Sequence, residues 1–133
     1  LMWQMGGLGP MAGQAFHFLK YAPSMEPSND LPYAKDRYRN EISRLFGVLD
    51  ERLLQNRYVA GDFYSIADMA IWPWVSLWRG LEQSLNERPG LARWLEELKE
   101  RPKLREGRAQ FEEARVKPQE NPAIHKVVFG QKG

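Results

Sequence analysis

The sequence predicts an all-α bundle of five to six helices, and three observations carry that expectation. Apolar residues recur at spacings of three and four along most of the chain, the pattern of helices with a buried face. No stretch alternates apolar and polar residues for long enough to make a half-buried strand. Prolines and turn formers stand between the periodic segments, with Pro32 and Pro102 placed where helices can begin. The chain has 133 residues, 43% hydrophobic and 12% aromatic, which suffices for one sizeable core.

Residues 2–20 place Met2, Met5, Leu8, Met11, Ala12, Ala15 and Leu19 at mixed spacings with a single charge, Lys20, and predict a mostly buried helix. The pattern is already running at Leu1, so this helix is expected to be truncated at its start. Residues 21–31 hold Pro23 and Pro27 among turn formers and predict a loop. From Pro32 to about Gln55, Tyr38, Ile42, Leu45, Phe46, Leu49 and Leu53 form one apolar stripe between charges, a long amphipathic helix. Residues 56–64 connect it to the next. Ser65 to about Leu85 is apolar almost all round and predicts a buried central helix, kinked near 69–73 because Pro73 withholds an N–H from Met69. Leu91, Trp94, Leu95 and Leu98 predict a shorter helix ending before Pro102. Pro102 opens another, with Leu104 and Phe111 as its buried points. The expected domain is 1–116, followed by a basic tail, 117–133.

Charge and composition narrow the function classes. The formal net charge is +2, but residues 1–100 carry −2 and residues 101–133 carry +4. The excess belongs to the end of the chain, where glutamates interrupt it and stacking aromatics are scarce, so no nucleic-acid partner is expected. Without cysteine there is no disulfide framework, thiolate metal site or protein thiol nucleophile. His17 and His125 are too far apart for a helix-spaced pair, and no metal is expected. No apolar run is long enough for a membrane span, so no membrane partner is expected.

The sharpest motif is Ser65-Ile66-Ala67-Asp68, a capping box in which serine and acid each satisfy a backbone donor at a helix start. Ser65 and Asp68 are therefore assigned a structural role in preference to a catalytic one. Gly7-Leu8-Gly9-Pro10-Met11-Ala12 matches a loose dinucleotide pattern, yet no strand precedes it and Pro10 removes a donor, so close packing is the better reading of its glycines. Four of the five tryptophans, Trp72, Trp74, Trp78 and Trp94, fall at core-like positions. Arg37 has Glu41 four residues on as an ordinary surface partner. No nucleophile and base, and no paired carboxylates, emerge; no catalytic residue is assigned.

Several segments together resemble a known family: residues 3–14 (WQMGGLGPMAGQ), 32–38 (PYAKDRY), 64–68 (YSIAD), 72–74 (WPW) and Arg101-Pro102. They are similar to the C-terminal helical domain of cytosolic glutathione transferases, in the bacterial nu-class or disulfide-bond-reductase-like branch. The resemblance implies an enzyme completed by an N-terminal thioredoxin-like domain, absent from this chain, that holds most of the glutathione site. It implies that Arg37 binds glutathione, the co-substrate, and that Met11, Gln14 and His17 line the cleft for a small-molecule second substrate. It further implies a cytoplasmic homodimer that conjugates glutathione to electrophiles or reduces disulfides with it, the fragment alone being inactive. The alternative is a stand-alone helical protein-interaction module without catalysis.

Overall fold

The computed structural model describes residues 1–25, 30–110 and 121–130, and among these every named element is helical. Two compact units result, Leu1–Glu100 and Arg101–Gly133.

In the first unit, the opening helix is not a plain α-helix. A π-turn, Gln4–Leu8, leads into α1, Gly9–Phe16, and a second π-turn follows, His17–Tyr21. In each, one N–H reaches back five residues: Gly9 bonds the Gln4 carbonyl and Ala22 bonds that of His17. A short 3-10 turn, Ala22–Ser24, closes the segment. Its buried residues, among them Leu8, Ala12, Ala15, Leu19 and Ala22, face the rest of the unit. Of its glycines only Gly9 is tightly approached, since a Cβ there would lie 2.8 Å from Gln4 Nε2; around Gly6, Gly7 and Gly13 nothing comes within 4 Å.

Helix α2, Pro32–Gln55, starts on its proline and buries Ile42, Leu45, Phe46, Leu49 and Leu53 as the stripe predicts. Helix α4, Pro89–Lys99, packs on α2 and buries Leu91, Trp94, Leu95 and Leu98. Each such side chain contributes about 1.5–3 kcal/mol relative to exposure. Two residues set how closely these helices approach. A Cβ on Gly90 would stand 2.9 Å from the Asp50 carbonyl oxygen and from the Leu54 nitrogen, so only glycine fits against that backbone. The buried Asp50 carboxylate accepts the Leu91 N–H at 2.8 Å, satisfying a first-turn donor of α4 from inside α2. One turn further along α4, Arg93 donates to the Leu53 and Asn56 carbonyls, at 2.8 and 3.1 Å, where α2 runs out of its own donors.

Between them, Tyr58 and Gly61 exchange backbone hydrogen bonds of 2.8 and 3.2 Å across a two-residue turn. Gly61 takes φ +137°, which disfavours any side chain there. Helix α3, Ile66–Val75, follows and is shorter than its composition implies: it stops at Val75 instead of continuing to Leu85. Pro73 lies two residues from that end and cannot bond the Met69 carbonyl. Beyond it the chain tightens into successive turns, with Leu77 and Trp78 bonding three residues back and Gln83 five. Burial is also one-sided. Asp68, Ile71, Trp72 and Val75 are inside, whereas Ile66 and Met69 are 62% and 51% exposed. Trp72 and Trp94 are core; Trp74 and Trp78 are only half-buried.

The second unit contains α5, Pro102–Ala109, with Leu104 half-buried. Phe111 lies outside the described residues. It also contains α6, Pro122–Phe129, a helix within the stretch read from sequence as a basic tail. The Asn121 side chain caps it, accepting from Ala123 and Ile124 at 3.1 and 3.2 Å.

Candidate functional site

The N-terminal turns of α2 expose a groove of about 460 Å³ lined by Tyr33, Asp36, Arg37, Asn40, Glu41 and Arg44. Helical geometry makes this lining: positions 33, 37, 40, 41 and 44 recur at three and four and so share one face. Arg37 is exposed within it, and no carboxylate among the described residues stands within ion-pair distance of its guanidinium. The anticipated pairing with Glu41 does not form. Glu41 gives both oxygens to Arg44 instead, at 2.7 and 2.9 Å. That hydrogen bonding outweighs the burial that would push the Glu41 carboxyl up and holds it below the usual range; the positive charges of Arg44 and Arg37 act the same way.

Asp36, the other carboxylate of the groove, is taken by Arg39. Arg39 reaches further, to Glu82 in the turns after α3, at 2.7 and 3.0 Å, and Lys20 joins Glu82 at 3.8 Å. Hydrogen bonding to Glu82 raises the Arg39 pKa, partial burial opposes this, and Asp36 adds to the rise. Glu82 itself is held at φ +55°, a left-handed backbone uncommon for glutamate.

Next to Arg37, Tyr38 stacks on Phe18 with centroids 5.4 Å apart and planes 7° from parallel. Phe18 in turn receives the edge of His17 at 5.0 Å, and Tyr21 lies 6.4 Å from His17. The π-turn bearing His17 is thereby joined to the turn of α2 that bears Arg37. Met11 and His17 are half-buried and Gln14 is exposed, but none of the three lines the groove at Arg37. The sequence-predicted site residues thus occupy two places, the groove and the first helix. Sequence reasoning passed over Tyr33, Asp36, Asn40 and Arg44, although the helical spacing of Tyr33, Asn40 and Arg44 from Arg37 was the available signal.

Ser65 and Asp68 stand apart from both places. Ser65 Oγ accepts from Ala67 at 3.2 Å, and the capping box is complete. Asp68 is wholly buried and its oxygens accept four hydrogen bonds: from Val59 N–H (3.0 Å), Trp94 Nε1–H (2.9 Å), Ser65 N–H (3.0 Å) and Ser65 Oγ–H (3.1 Å). Every acceptor direction is engaged in holding elements together. Among the described residues no group of His, Asp and Glu is arranged to hold a metal, and no helix is long and apolar enough to cross a membrane.

A family model described as "Glutathione S-transferase, C-terminal domain" matches residues 10–102. The chain belongs to this family. Among curated proteins, this glutathione S-transferase C-terminal domain is 44% identical over 102 residues to the disulfide-bond oxidoreductase YfcG of Escherichia coli, covering 77% of the chain and 45% of the relative. It is 37% identical to the disulfide-bond oxidoreductase YghU of the same organism, over 81% of the chain and 38% of the relative. The chain therefore spans less than half the length of these two relatives. Among solved structures it resembles a Burkholderia graminis glutathione transferase with two glutathione molecules bound per subunit, at TM-score 0.71 and 35% identity, over 84% of this chain and 47% of that one. It also resembles a Pseudomonas putida glutathione transferase holding one glutathione disulfide per subunit, at TM-score 0.71 and 36% identity, over 82% and 48% of the two chains.

Proposed function

We propose that this chain is the helical half of a glutathione-dependent enzyme that conjugates glutathione to electrophiles or reduces disulfides with it. The observation that carries this reading is the identity shared with two disulfide-bond oxidoreductases, together with likeness to transferases solved with glutathione or its disulfide bound. In this reading a thioredoxin-like N-terminal domain supplies the groups that activate the glutathione thiol, and the helical domain supplies Arg37. An exposed guanidinium with no ion-pair partner among the described residues suits one carboxylate of the tripeptide, which it can grip with two parallel N–H donors.

Met11, Gln14 and His17 would face the second substrate, a small molecule, from the first helix. The apolar side chains exposed at the start of the chain, on the opening π-turn and on α3 (Met2, Met5, Ile66 and Met69) would be covered by the thioredoxin-like domain. The complete protein would work in the cytoplasm as a homodimer.

The test is calorimetric titration of glutathione into protein expressed from its complete natural reading frame, and into the Arg37→Gln variant. Binding is expected, with affinity lowered roughly tenfold or more in the variant, since a hydrogen bond to a charged group contributes about 1.5–3 kcal/mol. A complete protein that binds no glutathione overturns the reading.

A further inference from the structure

Arg37 is exposed in the groove while the carboxylate four residues on, Glu41, is held by another guanidinium. Glu41 lies four residues after Arg37 and three before Arg44, both distances at which side chains meet on a helix. Left to itself it has two guanidiniums to choose from. Arg44 takes it through two parallel contacts, the geometry in which guanidinium and carboxylate match best. Asp36 is likewise taken by Arg39, which Glu82 holds from the far side.

We propose that Arg44 is a positioning residue: by occupying Glu41 it keeps the Arg37 guanidinium available to the carboxylate of incoming glutathione. This rests on the reading of Arg37 given above. Were Glu41 released, it would turn to Arg37, and the ligand would have to displace a carboxylate already in place.

The experiment measures glutathione affinity by calorimetry in protein from the complete reading frame, for wild type, Arg37→Gln, Arg44→Gln, Glu41→Gln and the Arg44→Gln/Glu41→Gln double variant. Arg44→Gln is expected to weaken binding about twofold, the scale of one exposed helical ion pair. Glu41→Gln is expected to bind at least as tightly as wild type. The double variant keeps the wild-type net charge and is expected to regain wild-type affinity, which a role of Arg44 in direct contact or in folding would not allow. In the single Arg44→Gln variant, the Arg37 side-chain N–H resonances should respond to the ionisation of Glu41 more strongly than in wild type. If the double variant is as weak as Arg44→Gln, or Arg37 senses Glu41 no more than in wild type, the proposal fails. If Arg37→Gln binds normally, the reading of Arg37 falls and this proposal with it; if Arg37→Gln is weak while Arg44→Gln is normal, this proposal alone falls.

Discussion

Asp68→Ala is the substitution whose cost the structure fixes most fully. The carboxylate is wholly buried and accepts four hydrogen bonds from three parts of the chain: the 56–64 connector, the start of α3, and Trp94 in α4. Alanine leaves the Val59 and Ser65 N–H groups and the buried Trp94 indole without acceptors. Each orphaned donor costs about 1–3 kcal/mol, and the lost cap belongs to the same account, so about 4–6 kcal/mol is expected. That is a large part of the roughly 5–15 kcal/mol that holds a domain folded. Asp68→Asn keeps the shape and one carbonyl oxygen but turns an amide toward Ser65, where the hydroxyl can rotate to accept while the Ser65 N–H loses its acceptor, and should cost about 1–3 kcal/mol. Trp94→Phe removes one donor and leaves the remaining three in place, and should fall in between once its lost packing is included. Urea unfolding followed by far-ultraviolet circular dichroism ranks the four proteins. An Asp68→Ala variant within about 1 kcal/mol of wild type would show that the four-bond account is wrong.

Gly90→Ala should destabilise by about 1–3 kcal/mol despite better helix propensity, because its methyl meets the backbone of α2; Gly47→Ala, with nothing within 4 Å, should stabilise by about 0.5–1 kcal/mol, and thermal melts of the pair check both signs. Glu97 links pH to stability. Its burial would raise the carboxyl, but hydrogen bonds from Tyr58 at 2.6 Å and Arg57 at 2.9 Å, with the Arg57 and Arg93 charges, bring it below the usual glutamate range. A folded-state value below the unfolded one contributes stability above the unfolded value and loses it as pH falls through the folded one. Glu97→Gln should therefore narrow the stability difference between neutral and strongly acid pH in urea titrations. Met69→Ser, on a half-exposed position of α3, should leave the melting temperature of this chain nearly unchanged yet weaken its association with a separately expressed thioredoxin-like domain, read by calorimetry.

How much of this was legible in the sequence depends on how far each decision reaches along the chain. Helix α2 was legible at both ends, because Pro32 sets its start and one stripe from Tyr38 to Leu53 keeps a single period. The capping box was legible because Ser65 and Asp68 are three residues apart. The end of α3 was not. Trp74, Leu77, Trp78 and Leu81 continue an apolar composition that says nothing about whether the backbone bonds run three, four or five residues back. The tie between Asp50 and α4 joins residues 41 apart, and Gly90 shows its purpose only once α2 lies against it. Helix α6 had a local signal, Asn121 before Pro122, which the surrounding prolines and glycines masked. At the candidate site, the spacing of Glu41 suits Arg37 and Arg44 equally well. Side-chain geometry, which no sequence pattern encodes, gives it to Arg44.

The two π-turns around α1 carry a consequence for how such a helix changes over generations. Each turn houses one residue more than an α-helical ladder needs, so a one-residue deletion there leaves continuous helix on both sides. That extra residue is taken up inside the turn, so its loss would leave the parts upstream and downstream on nearly the faces they hold now. The same deletion in a plain α-helical stretch would swing the upstream part by about 100° around the axis. For the first turn, the upstream part carries the exposed Leu1 and Met2. Chain length at Gln4–Leu8 can therefore change by one residue where it could not within α1, and a scan made only of substitutions would never find it.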